Sequence, residues 1–218
     1  MSATNDGPEL VLAGTAVFLS ASIPDPTRWT GDFDALEIID AVVAVGRSML
    51  SAGARLVTAA HPTIAPLLLY VAAELPHAPE PRVVVYQSGV FDSVMPEATR
   101  RFEADGVGTL IRTEPVDGEP PDPRYAIQSL ELMRRQMLTE TQPHAAIFVG
   151  GMMGISLEHQ LFTELRPGTP TYPLGQPGGA ARELAEANTS QMHDLLVHGR
   201  IYPAIGRAIV DDIRTHRI

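Results

Sequence analysis

The chain has 218 residues, a length suited to one α/β domain of ordinary size. It contains no cysteine, which excludes disulfides, thiolate metal ligands and a cysteine nucleophile, and its net charge of −10 argues against a general nucleic-acid binder. No apolar run reaches the roughly 18 residues of a membrane span and the start lacks a signal-peptide pattern, so we expect a cytoplasmic protein that binds neither nucleic acid nor membrane.

Short apolar runs alternate with helical patterns along the chain. After a lead-in over 1–13, which we expect to be flexible, we expect a single domain over 14–218. The predicted strands are 15–19, 55–58, 83–86, 107–112, 145–149 and 169–172. The predicted helices are 36–50, 64–75, 95–104, 125–140 and 154–165, and a helical segment begins at 191. This alternation predicts an α/β fold: a doubly wound, mostly parallel, Rossmann-like sheet flanked by helices.

The first helix carries signals for both of its ends. Asp34 and Glu37 have the spacing of a capping box, and Gly53 fits the position just after the helix. Helical spacing predicts a buried stripe formed by Leu36, Ile39, Val43, Gly46 and Leu50.

Small hydroxyl residues and one histidine follow the first three strands. Ser20 and Ser22 flank one alanine in a predicted loop, 20–26, while His61 follows the second strand and Ser88 the third. Ligands of open α/β sheets bind beyond the carboxyl ends of the strands, so these four residues are candidate ligand contacts. The alternative for the serines is a turn stabilised by their own hydroxyls, and for His61 a hydrogen bond to the turn backbone.

Two glycine-rich turns, 150–154 and 174–181, lead into helices. The first follows a buried strand directly. Such a turn presents backbone N–H groups and the positive end of a helix dipole, which suits an anion such as phosphate. The candidate ligand-binding residues of the two turns are Gly150, Gly151, Met152, Gly154, Gly178 and Gly179.

Two helices each place one charged residue on an otherwise apolar face. Arg134 lies among the apolar residues of the helix 125–140, and Glu158 lies among those of the helix 154–165. Each needs a partner, because burying one unpaired charge costs on the order of several kcal/mol. They either pair with each other in the core or face a ligand pocket beside the first glycine turn.

The segment 149–158, Val-Gly-Gly-Met-Met-Gly-Ile-Ser-Leu-Glu, resembles the SLOG superfamily, which is named for the SMF/DprA and Lonely Guy (LOG) families. LOG proteins carry the motif Pro-Gly-Gly-x-Gly-Thr-x-x-Glu. This chain has one extra residue before the third glycine, and the spacing from Gly154 to Glu158 is unchanged. Arg134 stands at the distance of the arginine that LOG proteins carry on the preceding helix.

Other residues depart from the LOG pattern. Val149 replaces the proline, Ile155 replaces the threonine, and the glycine-rich loop after the second strand is replaced by 59–62, Ala-Ala-His-Pro. The second glycine turn at 178–181 and the segment 20–24, Ser-Ala-Ser-Ile-Pro, resemble divergent SLOG groups associated with bacterial conflict systems more than a typical LOG enzyme.

The resemblance implies a nucleotide-binding domain, and three hypotheses follow. The first is a sensor of a nucleotide or an NAD-derived, ADP-ribose-like molecule, in which Glu158 accepts ribose hydroxyls and Arg134 neutralises phosphate. The second is a nucleoside 5′-monophosphate phosphoribohydrolase, in which the same two residues are catalytic in cleaving the N-glycosidic bond. The third is a scaffold whose pocket has decayed.

The resemblance also implies a homodimer, because LOG relatives suggest a partner subunit that completes the site. Apart from the nucleotide or ADP-ribose-like ligand, we expect no cofactor. We expect no metal site either, since the seven histidines are dispersed and none has ligand spacing with a carboxylate.

Overall fold

The computed structural model describes residues 10–76 and 80–216, which contain six strands and eight α-helices. The strands are β1 (Ala16–Ser22), β2 (Arg55–Ala59), β3 (Val83–Ser88), β4 (Thr109–Thr113), β5 (Ala145–Gly150) and β6 (Thr171–Leu174). The helices are α1 (Ala35–Ser51), α2 (Ile64–Ala73), α3 (Glu97–Ala104), α4 (Ile127–Thr141), α5 (Met153–Leu165), α6 (Ala180–Ala187), α7 (His193–His198) and α8 (Tyr202–His216). A 3₁₀ helix, Gly89–Val94, follows β3.

All six strands lie in one parallel sheet with the order β4-β3-β2-β1-β5-β6, which confirms the predicted α/β fold. The chain first winds outward from β1 to β4. Helix α4 then returns across the sheet, and β5 pairs with the free side of β1. The winding direction therefore reverses between β1 and β5, and the carboxyl edge at such a point is where open α/β sheets bind ligands.

Alternate residues of each buried strand supply two separate hydrophobic cores. Val17 and Leu19 of β1 face one core, which also contains α1, α2 and α8. Phe18, the residue between them, faces the other core with α4 and α5, where its ring stacks on Phe162 at 6.2 Å between centroids. This period of two follows from the pleat of a strand that is covered by helices on both faces.

Helix α1 has the predicted residues at both ends, but only half of the predicted capping box forms, because the Asp34 N–H donates to the Pro177 carbonyl and not to Glu37. The Asp34 carboxylate accepts the N–H groups of Leu36 and Glu37, and Gly53 follows the helix with φ +90°. The predicted stripe is right at Gly46 and Leu50 and wrong at Leu36, which is 72% exposed. The buried face is formed by Ile38, Ala41, Val42, Val45, Gly46, Met49 and Leu50.

Two predicted boundaries are also wrong. The segment 20–22 was expected to lie in a loop but belongs to β1, because the pairing of β1 with β5 continues to Ser22 opposite Gly150. The helix expected from residue 95 begins only at Glu97, after the separate 3₁₀ helix. The extension of β1 depends on a long-range pairing that local sequence does not encode. The late start of α3 is local, because Met95 precedes Pro96 and a residue before proline disfavours the helical conformation.

The predicted lead-in, 1–13, lies mostly outside the described residues. Its described part, 10–13, forms a turn in which Leu12 is fully buried and its N–H donates to the carbonyl of Ala52. These last residues therefore pack against the end of α1.

The two glycine-rich turns cross each other at the carboxyl edge of the sheet. The Ala180 N–H donates to the Gly151 carbonyl at 2.8 Å. Gly179 has φ +67° and ψ −167°, a region that only glycine occupies readily, and a Cβ there would lie 2.6 Å from the carbonyl carbon of Gly150. The glycines thus let two backbones approach more closely than side chains allow.

We expect Gly179→Ala to lower the free energy of unfolding by about 3 kcal/mol or more, because backbone strain adds to a clash with backbone atoms. Gly106→Ala is the matched control: Gly106 has φ +70° but open space around it, so the loss there is about 1–2 kcal/mol. Urea unfolding measures both values, and equal losses would contradict the close crossing of the two turns.

Candidate functional site

A cavity of about 360 Å³ lies at the carboxyl edge of the sheet, between the ends of β1, β2 and β3 and the helices α4 and α5. Its lining is polar near β1 and α5, where Ser20, Arg134 and Glu158 meet. It is apolar toward the 3₁₀ helix and α4, where Phe91, Met95, Pro121, Pro123, Leu130 and Met133 line it. The cavity therefore has a polar end and an apolar end.

Arg134 and Glu158 form a buried ion pair at the polar end. The Arg134 Nε–H donates to Glu158 Oε1 at 2.7 Å, and the Ser20 hydroxyl donates to Glu158 Oε2 at 2.5 Å. Glu158 is only 7% exposed, and the side chain of Arg134 is 16% exposed. The sequence left two alternatives open, and both are true: the two charges pair with each other, and both line the cavity.

The ion pair leaves most of the arginine free to bind something else. Among the described residues, the Nη groups of Arg134 have no hydrogen-bond acceptor. A Cβ placed on Gly154 would lie 3.5 Å from Arg134 Nη2, so the guanidinium stands beside the first turn of α5. A guanidinium held at Nε presents its terminal nitrogens as a fork, the geometry that suits phosphate or carboxylate.

The first turn of α5 adds a second attraction for anions. Its N-cap residue, Met152, makes no side-chain cap, and Gly154, which lines the cavity, has no side chain to cover the backbone. The helix runs for 13 residues, so its N-terminal end carries a partial positive charge next to the Arg134 fork.

One N–H group of the glycine turn is already used within the fold. The Gly151 N–H donates to the Ser22 carbonyl at 2.7 Å, and this bond joins the turn to β1. The Gly151 N–H is therefore not free for an anion. Five predicted ligand contacts lie outside the cavity lining: Gly150, Gly151, Met152, Gly178 and Gly179.

The remaining predicted residues Ser20, Ser22, His61 and Ser88 all line the cavity together with Arg134, Gly154 and Glu158. The Ser88 side chain is fully buried, and its hydroxyl has no partner among the described residues. A buried hydroxyl without a partner is uncommon, so this group is available to a ligand or a water molecule.

His61 both bonds the turn backbone and lines the cavity. Its Nδ1 accepts the Thr63 N–H at 3.3 Å, which leaves Nε2 to carry the proton of the neutral ring. Burial lowers the pKa of His61 below its ordinary value, and the nearby negative charge of Glu158 opposes that shift. The neutral ring is therefore a hydrogen-bond donor through Nε2.

Sequence reasoning missed Gln87 and the apolar end of the cavity. Gln87 is 3% exposed at the carboxyl end of β3, where it lines the cavity beside Ser88. A polar residue that ends a buried apolar strand was an available signal for a site residue. The apolar lining carried no such signal, because its residues come from segments far apart in the sequence.

Over residues 10–76 and 80–216, no group of three or more histidine, aspartate or glutamate side chains is arranged to hold a metal ion. None of the helices within the same ranges is both long and apolar enough to cross a membrane.

Fold and site together define a Rossmann-like α/β protein with a ligand-sized cavity beyond the carboxyl ends of a parallel sheet. Residues 28–205 match the sequence model of the SLOG cluster3 family, and the chain therefore belongs to that family. This match confirms the resemblance that the residues around Glu158 indicate.

One solved structure supports the same fold. The X-ray structure of a protein named TM1055 has 14% sequence identity to this chain and a TM-score of 0.51. The alignment covers 79% of this chain and 81% of that one, and at this identity the likeness shows the fold alone. No curated protein sequence matches the chain.

We expect Arg134→Met to lower the free energy of unfolding by about 3–5 kcal/mol, because it leaves the Glu158 carboxylate buried without its cation. The double variant Arg134→Met/Glu158→Met is expected to recover most of that loss, since no charge then remains buried. Arg135→Met is the control on the same helix, because Arg135 pairs with Glu131 and Glu164 at the exposed surface. A loss in Arg134→Met no larger than in Arg135→Met, measured by urea unfolding, would contradict the buried pair.

The depressed pKa of His61 predicts the sign of a pH effect. The folded protein resists protonation of His61, while the unfolded chain takes up the proton below about pH 6.5, so stability falls as pH drops through that value. We expect His61→Gln to flatten the plot of unfolding free energy against pH below this point. His216→Gln, at the exposed end of α8, serves as the control, and identical slopes for all three proteins would show that His61 is not buried as described.

Proposed function

We propose that the cavity binds a nucleotide, with its phosphate at the end formed by Arg134 and Gly154 and its base at the apolar end. One observation carries the proposal: the Arg134 guanidinium is held at Nε by Glu158, while its free nitrogens stand beside the N-terminal turn of α5. Biologically, we propose a SLOG-type sensor of a nucleotide or an NAD-derived molecule.

The phosphate assignment rests on charge and geometry. The protein as a whole is acidic, so a phosphate needs a local positive site. Arg134 supplies a fixed cation, and the start of α5 supplies a partial positive charge in the same place. Two such attractions within a largely buried site favour an anion over a neutral group.

The ribose assignment rests on the acceptors beside the phosphate end. Each Glu158 oxygen accepts one hydrogen bond from the protein, which leaves lone pairs for ribose hydroxyls. Ser22 and His61 supply further polar groups on the β1 and β2 sides. The ribose would then lie between the phosphate end and the base.

Cavity size limits the length of the ligand. A volume of about 360 Å³ is near the lower end of the range of about 300–1,000 Å³ found for small-molecule pockets. A mononucleotide fits such a volume better than an intact dinucleotide. We therefore favour a nucleoside monophosphate over NAD itself as the molecule that this cavity encloses.

The contacts of Glu158 favour binding over catalysis. Both of its oxygens already accept hydrogen bonds from the protein, from Arg134 Nε and the Ser20 hydroxyl, so the carboxylate is held in one position as part of a binding site. The second candidate is the LOG-like phosphoribohydrolase, which is favoured by the unchanged spacing from Gly154 to Glu158 and by Arg134 on the preceding helix. The homodimer implied by the LOG resemblance stays a prediction.

Titration calorimetry with AMP tests the proposal. We expect saturable binding by the wild-type protein and at least a tenfold weaker affinity in Arg134→Lys, which keeps the charge but loses the planar fork. Arg135→Lys, on the exposed side of α4, is the matched control and is expected to bind like the wild type. Absence of binding to AMP and to every other nucleoside monophosphate would overturn the proposed function.

Chromatography of the same mixtures separates the sensor from the enzyme. The sensor hypothesis predicts that AMP remains intact after prolonged incubation. Release of free adenine that disappears in Glu158→Gln would establish the hydrolase instead. Glu131→Gln, an exposed change of the same kind on α4, controls for contaminating activity.

A further inference from the structure

Gln87 is the one amide side chain that lines the cavity among the described residues. It lies at the carboxyl end of β3, 3% exposed, next to the 3₁₀ helix that supplies Phe91 to the apolar end. An amide placed in apolar surroundings is costly unless both of its polar atoms find partners. The hydrogen bonds of Gln87 therefore indicate which kind of ligand group, donor or acceptor, fits at this end of the cavity.

Only one side of the Gln87 amide has a protein partner. Its Nε2 donates to Asp92 Oδ1 at 3.3 Å, while Oε1 has no donor among the described residues. Because Gln87 lines the cavity, Oε1 is the acceptor that its amide has left for a ligand, next to the second N–H of Nε2.

Asp92 fixes which way the amide faces. An ionised carboxylate only accepts hydrogen bonds, so the NH₂ group of Gln87 must face Asp92 and the carbonyl cannot exchange places with it. Asp92 is itself held in position: its Oδ1 lies 3.6 Å from Arg112 Nε, and its backbone carbonyl accepts Arg100 Nη2 at 2.8 Å. The orientation of the amide is therefore set by protein contacts alone.

We propose that Gln87 selects nucleotides whose base carries an amino group, because its fixed Oε1 needs a donor from the ligand. This inference rests on the proposed nucleotide function and adds the chemistry of the base to it. A 6-aminopurine or 4-aminopyrimidine donates an N–H to Oε1. The matching 6-oxo or 4-oxo base places a carbonyl oxygen against Oε1, which leaves two buried acceptors facing each other without a proton.

The same contacts explain why Asp92 is a positioning residue and not a ligand contact. Without the Asp92 carboxylate, the Gln87 Nε2 loses the acceptor that holds it, and the Gln87 amide is free to turn over. A turned amide presents NH₂ to the ligand and accepts oxo bases. Selectivity in this account depends on the carboxylate of Asp92 as much as on Gln87.

Calorimetry with AMP, IMP, CMP and UMP tests the inference. We expect the wild type to bind AMP about tenfold or more tightly than IMP, and CMP more tightly than UMP by a similar factor. Gln87→Leu is expected to remove the preference for amino bases by lowering the affinity for AMP. Asp92→Ala is expected to reduce the preference by strengthening the binding of IMP, a gain that a general loss of structure does not produce.

Asp105→Ala, an exposed change of the same kind at the end of α3, is the control and is expected to leave the AMP-to-IMP ratio unchanged. Equal binding of AMP and IMP by the wild type, or an unchanged ratio in Asp92→Ala, would overturn the inference while the nucleotide function stands. Failure of all four nucleotides to bind would overturn the proposed function and this inference with it.

Discussion

The carboxylate of Glu158 is the constraint on which the site depends. It is nearly inaccessible to solvent, so both of its oxygens need hydrogen-bond donors, and the fold supplies them from two different elements. Arg134 comes from α4 and Ser20 from β1, while Glu158 itself belongs to α5. One buried charge thus ties together three elements that meet where the winding of the sheet reverses.

The way in which this charge is satisfied also shapes the cavity. Arg134 uses Nε for the carboxylate, and its outer nitrogens remain beside the start of α5. The end of the cavity near β1 is therefore polar and presents free N–H donors of Arg134, whereas the end near the 3₁₀ helix is apolar and contains the oriented amide of Gln87. This separation matches a molecule that carries phosphate at one end and a flat base at the other.

Much of this organisation was predictable from the sequence, and the rest depends on contacts between distant residues. Periodicity alone placed Arg134 and Glu158 on apolar faces, because a helix has a fixed number of residues per turn. The role of the glycine turn was not predictable, since the Gly151 N–H donates to Ser22, a residue more than a hundred positions away. Gln87 did carry a signal, as a polar residue at the end of a buried strand, but the orientation of its amide did not, because that orientation depends on Asp92 and Arg112 in a separate helix and strand.

A crystal structure of the protein with a bound nucleoside monophosphate tests the central claim most directly. The account predicts the phosphate within hydrogen-bond distance of the Arg134 Nη atoms and the Gly154 N–H, with the Arg134–Glu158 pair intact and the base beside Phe91. A phosphate bound elsewhere on the protein, or a nucleotide whose base contacts Arg134 while its phosphate lies at the apolar end, would contradict it.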